Sequence, residues 1–335
     1  MTRSSDPGYR ILAARSLRKQ IKQLTEHLGG IRLGQDIEAI HHARVASRRL
    51  CAALDMFDVC WKRKQVKEWK KQIRQLARSL GEARDHDVLI EFLVSSLATV
   101  ADRILVPGIA CLLNHVERQR LWLQPRVLKA IDQFEVHGTM KAMQDACRSF
   151  LEDAGDKPLT AGKHAHNQAG KSVRKGFKQL VEEAAGLADP EKYERHHAMR
   201  IAAKRLRYTL ELARPVYASN LVEIGDTVKK LQTLLGEIHD CDVWIENFAE
   251  FAQKESCEIQ LYFGSPQRFE RLRPGLDYLR QERQDRRGRA FHELVTYWQE
   301  LEDRGTWDNL ATILEWNRAG VKSGDSSPAE VATQM

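Results

Sequence analysis

His41-His-Ala-Arg44-Val-Ala-Ser-Arg48-Arg49-Leu50 decides the fold, because the chain carries the same stretch again as His197-Ala-Met-Arg200-Ile-Ala-Ala-Lys204-Arg205-Leu206. Five of the ten positions are identical, and Val45/Ile201 and Arg48/Lys204 are conservative exchanges. A second pair keeps the register. Leu80-Gly-Glu-Ala-Arg84-Asp85-His-Asp87-Val88 matches Leu235-Gly-Glu-Ile-His239-Asp240-Cys-Asp242-Val243 at six of nine positions. The offsets, 156 and 155 residues, are nearly equal, as a duplicated unit requires.

On a helical wheel His41, Arg44 and Arg48 share one face, with Val45 among them, and Ala43, Ala46, Leu50, Leu54 and Phe57 share the opposite one. In the second copy His197, Arg200 and Lys204 oppose Met199, Ala202, Leu206 and Leu210. Each copy is an amphipathic helix with an apolar seam behind and a cationic stripe in front. A solvated surface needs charge, but it does not need the same His/Arg/basic spacing twice.

The pattern His-x-x-Arg-[Val/Ile]-x-x-[Arg/Lys]-Arg-Leu, then Leu-Gly-x-x-x-Asp-x-Asp-Val, then both again, resembles the CHAD (conserved histidine α-helical domain) family over roughly residues 9 to 320. The resemblance implies two pseudo-symmetric antiparallel helical bundles and a basic surface that binds inorganic polyphosphate, with no established catalytic activity. One departure is Cys51, where the second copy has Arg207.

Composition agrees with a basic, well-cored protein. The 335 residues carry a formal net charge of +7 and a pI near 9.1, with 42% hydrophobic and 30% charged residues. That balance favours anionic partners: polyphosphate, nucleic acid or an anionic surface. Cys51, Cys60, Cys111, Cys147, Cys241 and Cys257 show no CxxC spacing and read as small apolar residues in a reducing compartment. The first residues form no apolar signal segment, and no uncharged apolar run approaches the ~18 residues of a membrane span. A cytoplasmic location, on polyphosphate granules, is the expectation, with no membrane insertion and no cofactor.

No strand alternation is visible, so the expected class is all-α, with one four-helix-type bundle over 9–152 and another over 163–320. A first helix over 9–28 should end at Gly29-Gly30, and Asp36 should cap the motif helix. Gly81 should loosen or end the next helix before Asp85, and Pro125 should start a new one. Residues 153–162 read as a linker, Asp189-Pro190 as the cap of the second motif helix, and 321–335 as a disordered tail.

Three chemistries compete for these residues. A polyphosphate is charged along its whole length and needs many cations on rigid elements: Arg with forked donors, Lys with a compact charge, His with a tunable one. The motif helices supply His41, Arg44, Arg48 and Arg49, then His197, Arg200, Lys204, Arg205 and Arg207; His42 has no counterpart in the second copy. The first helix of each half adds Arg15, Arg18, Lys19 and Lys22, then Lys171, Arg174, Lys175 and Lys178. Single-stranded nucleic acid would fit the charge, but the aromatic residues fall at core spacing and offer no stacking platform. Metal-dependent phosphate-ester hydrolysis could use His239, Asp240 and Asp242, yet the position matching His239 is Arg84, which repels a divalent cation. Asp85, Asp87, Asp240 and Asp242 read instead as structural anchors: one acid of each pair caps the following helix, and the other holds a motif-helix arginine in place. His41 and His197 fit either a ligand-facing or a structural role. The absence of a Gly-x-Ser-x-Gly, a phosphate loop or a dinucleotide fingerprint favours a binding module over an enzyme.

Overall fold

The computed structural model of the protein describes residues 6–33, 38–152 and 162–320. Among these residues every regular element is helical, as the patterning predicts. The helices of the first half are α1 (Pro7–Leu33), α2 (Glu38–Met56), α3 (Arg63–Thr99), α4 (Val106–Val136) and α5 (Thr139–Glu152). Those of the second are α6 (Lys163–Ala184), α7 (Tyr193–Tyr217), α8 (Val222–Phe263), α9 (Arg273–Asp303) and α10 (Thr306–Gly320). The motif helices are α2 and α7, and the paired carboxylates lie on α3 and α8.

Several predicted breaks are absent. α1 continues through Gly29 and Gly30 to Leu33, and α4 passes through Pro125. α3 runs unbroken through Gly81, and α8 through Gly236, for 37 and 42 residues. A helical glycine costs only about 1 kcal/mol, which the packing of a long helix outweighs. Asp85 and Asp240 therefore sit in mid-helix and cap nothing. Asp189 does not cap α7 directly either. It closes a turn ahead of the helix, its Oδ1 accepting from the Glu191 amide at 2.9 Å. The Asp36 cap, most of the 153–162 linker and the 321–335 tail lie outside the described residues.

Two apolar clusters hold the helices. The larger joins Leu17, Leu50, Leu54 and Leu76 to Leu206, Val228 and Leu294, and so takes residues from either side of the 153–162 segment. Leu50 and Leu206 of the two motif seams are fully buried in it. Truncating either to Ala costs ~2–5 kcal/mol on the scale of core leucines. The smaller cluster lies farther along the long helices and sets Leu93, Ile109 and Leu112 against Phe248, Phe251 and Leu279. Here α4 and α9 cross with their backbones in contact. A Cβ on Gly108 would lie 2.1 Å from the Leu272 carbonyl oxygen, and one on Gly275 would lie 2.1 Å from that of Leu105. Only glycine at both positions permits the crossing.

Candidate functional site

α2 packs on α7, with α3 and α8 flanking them. The apolar seams turn inward, so the stripes are left at the meeting of the four helices. Arg44 and Arg48 of α2 come close enough to Arg200 and Lys204 of α7 to act on one another's charge. Sequence periodicity gave each stripe a face; the packing makes them one cluster.

The electrostatic consequence is graded. Burial first, then Arg44 and Arg200, lowers the pKa of the Arg48 guanidinium. Burial also lowers that of Arg200, with Arg44 adding to it and Asp240 and Asp85 opposing it. Lys204 responds most: burial, together with Arg48, Arg200, Arg44 and Arg205, brings its ammonium down to about 8. Four cations that disfavour one another's charge are stabilised by an anion placed among them.

The carboxylates act unequally. Asp85 Oδ1 accepts from Arg44 Nη1 at 2.6 Å, and the same nitrogen reaches the Gly81 carbonyl at 3.3 Å. The guanidinium lies beside Gly81, at ordinary van der Waals distance from where a Cβ there would stand. Asp240 makes no ion pair within 4.0 Å among the described residues and feels Arg200 at longer range. Its surroundings raise its carboxyl above the ordinary value, and Arg200 pulls it back. Asp87 and Asp242 form their ion pairs with helices other than α2 and α7, though Asp242 also feels the charge of His196 on α7. Buried Asp87 accepts from Arg120 of α4 at 2.6 Å, and Asp242 pairs with Arg287 of α9, which also donates to the Pro190 carbonyl at 2.8 Å. These two pairs brace α3 to α4 and α8 to α9. Burial raises both carboxyls, and the arginines oppose it.

The histidines also differ between copies. His197 Nδ1 lies 3.3 Å from Nδ1 of His239, a residue set aside as a weak metal ligand in the sequence. Burial, Arg200 and His197 bring the His239 imidazole down to about 4, so it is neutral at physiological pH. His41 is half-buried, its pKa lowered by burial and by Arg84; its ring meets His42, which stacks on His27 at 5.0 Å. Arg84 itself is tied to Glu38 and Glu91 at 3.3 and 3.2 Å. Among the described residues no group of three His, Cys, Asp or Glu side chains stands where it could hold a metal ion.

Arg49 and Arg207 share one acceptor, Glu211, at 2.9 and 3.1 Å, and Arg207 also donates to Gln232. This links α2 to α7 and α7 to α8, so both arginines have structural work beside the cluster. Arg205 is exposed. Arg15, Arg18, Lys19 and Lys22 on α1, and Lys171, Lys175 and Lys178 on α6, are exposed too, while Arg174 is half-buried. The charges acting most on Arg48, Arg200 and Lys204 come from α2, α3, α7 and α8, not from α1 or α6.

Fold and site together define an all-α domain whose cations are gathered where two repeated-motif helices meet. The chain belongs to the CHAD domain family, whose profile matches residues 15–249. Two uncharacterised proteins of Mycobacterium tuberculosis, MT2285 (strain CDC 1551 / Oshkosh) and Rv2226 (strain ATCC 25618 / H37Rv), are each 25% identical over 242 residues. That match covers 71% of this chain and 45% of theirs, so the chain spans about half the length of these relatives. The fold is similar to the crystal structure of the CHAD domain from the plant Ricinus communis, with a TM-score of 0.56 and 23% identity, covering 85% of this chain and 94% of that one. It is also similar to PptA from Streptomyces chartreusis, with a TM-score of 0.54 and 16% identity, covering 86% and 98%. No helix among the described residues is long and apolar enough to cross a membrane.

Proposed function

We propose that this chain is a non-catalytic binder of inorganic polyphosphate, which it holds at the α2–α7 cluster and follows in the cell to cytoplasmic polyphosphate granules. The observation that carries this is the gathering of Arg44 and Arg48 of α2 with Arg200 and Lys204 of α7, where burial and the neighbouring cations disfavour the charge on Arg48, Arg200 and Lys204 and a chain of phosphates would relieve it. Arginine forks meet phosphate oxygens in pairs, while Lys204 supplies a point charge. The exposed cations of α1 and α6 extend the field without being coupled to the cluster. The internal duplication expected from the two motif pairs suits this ligand, because a repeating polymer presents the same group to both copies.

Single-stranded nucleic acid fits less well. Tyr208, the aromatic residue beside Arg48, is buried and offers no face to a base. The test is a titration with polyphosphate and with single-stranded DNA of equal charge, at several salt concentrations. Polyphosphate should bind more tightly, with log K falling against log salt by roughly 0.7 per neutralised phosphate if it behaves as other single strands do. The double variant Arg48→Gln/Lys204→Gln should lose far more affinity than Lys64→Gln/Arg148→Gln, which removes two exposed cations elsewhere. Equal losses, or a flat salt response, would refute the site.

A further inference from the structure

A second feature has no part in the polyphosphate reading and does not rest on it. A cleft of about 560 Å³ opens between α4 and α8, lined by none of the four clustered cations. Phe251 and His115 form its floor, their rings 4.8 Å apart, and His86 closes one side through a 3.3 Å contact with Gln119. Trp122 stands on the α4 wall with 78% of its surface in water. Its indole has no hydrogen-bond or ring partner among the described residues, unlike the buried Trp61 and Trp69, which pack edge to face.

The charges beside Trp122 are also uncommitted. Arg118 and Arg126, one helical turn to either side, line the cleft and are exposed, and neither has an ion-pair partner within 4.0 Å among the described residues. On the opposite wall Glu258 lies 3.8 Å from Lys254, and Glu255 accepts from the Cys111 thiol at 3.9 Å. The α4 wall thus presents an open aromatic face between two unpaired guanidinium groups. A cationic ligand would be repelled by Arg118 and Arg126. A purely apolar ligand would leave them without a counter-charge, and a bare polyanion would make no use of the indole. A ligand with an aromatic ring joined to phosphates uses all three.

We propose that this cleft binds a purine nucleoside polyphosphate, the base stacked on Trp122 and the phosphates held by Arg118 and Arg126. The test is calorimetric titration at low salt with three probes: ATP, adenosine and inorganic tripolyphosphate. ATP should bind more tightly than either other probe, by roughly tenfold or more, the scale of one base–aromatic stack. Trp122→Leu should bring ATP down to the tripolyphosphate level, and Trp122→Phe should retain part of the difference. Arg118→Gln/Arg126→Gln should bring ATP down towards adenosine. Because Trp122 is exposed, these variants should keep the wild-type helical circular dichroism and leave polyphosphate affinity unchanged. Equal affinity for ATP and tripolyphosphate, with no effect of Trp122→Leu, would overturn the proposal. So would loss of ATP binding in Arg48→Gln/Lys204→Gln, which would place the nucleotide in the α2–α7 cluster instead.

Discussion

The two motif sites share five of their ten residues and end with different electrostatics. In the first, Arg44 makes a 2.6 Å ion pair with Asp85 and donates to the Gly81 carbonyl. In the second, Arg200 has no such partner, and Asp240 answers it from farther away. The positions after the Leu-Gly-Glu step carry the difference. Arg84 is locked between Glu38 and Glu91, whereas His239 is a neutral imidazole facing His197. The first motif copy thus holds its Arg44 in an ion pair, and the second leaves Arg200 and Lys204 without one among the described residues. Ligand binding should draw mainly on the second.

The largest expected effect follows directly. Arg200→Gln/Lys204→Gln should weaken polyphosphate binding by roughly a hundredfold or more at low salt, as two charge-assisted contacts at ~1.5–3 kcal/mol each imply. Arg44→Gln should cost about tenfold or less by the same scale, because its charge is already matched. Titration of both variants beside wild type checks this, and equal losses would erase the comparison.

A smaller effect is set by pH. Lys204, brought down to about 8, loses its charge in the free protein as pH rises through that value. Polyphosphate must then restore the proton, so affinity should be roughly tenfold weaker at pH 9 than at pH 7. Lys204→Arg should remove most of that dependence. The effect on stability has the opposite sign. A depressed ammonium pKa means that the unfolded chain binds more protons between about 8 and the ordinary lysine value of 10.5. The penalty is fully present below that window, and the ligand-free protein gains stability as pH rises through it. Lys204→Met should therefore raise Tm at pH 7, by roughly 1–2 °C for each kcal/mol relieved. Thermal melts at pH 7 and 9, with and without polyphosphate, read both signs.

The smallest effect sharpens the contrast between the carboxylates. Asp85→Asn breaks a direct but largely exposed ion pair and should cost about 0.5–1 kcal/mol in a denaturant melt. Asp240→Asn removes a charge that its surroundings disfavour, so it should fall within about 0.5 kcal/mol of wild type. Equal and larger losses would restore equivalent anchors in both halves.

The sequence made the helices and their faces legible because a 3.6-residue period survives in the apolar seams of both motif copies. The Arg44–Asp85 link was legible in kind, as a carboxylate holding a motif arginine. Periodicity names a face and not the neighbour it meets, so the convergence of α2 and α7 was not visible. Asp87 and Asp242 read as structural anchors, but no local pattern points to Arg120 or Arg287, 33 and 45 residues farther on, as their partners. Gly81 read as a helix breaker, but α3 runs through it, and its carbonyl accepts from Arg44 of another helix. His239 carried a signal, a histidine where the first copy has Arg84, but its meaning depends on His197 lying beside it.

The Gly108–Gly275 crossing also bears on how the chain is made. It joins residues 167 positions apart, and the smaller apolar cluster around it needs Leu89 and Leu93 together with Leu276 and Leu279. Contacts so distant along the chain close slowly and only after both partners exist. On a ribosome, α3 and α4 emerge long before α9 and carry an uncovered apolar flank until residue 279 has been synthesised. The tips of the long helices therefore stay exposed to water until late in synthesis, an apolar flank open to a chaperone in the meantime.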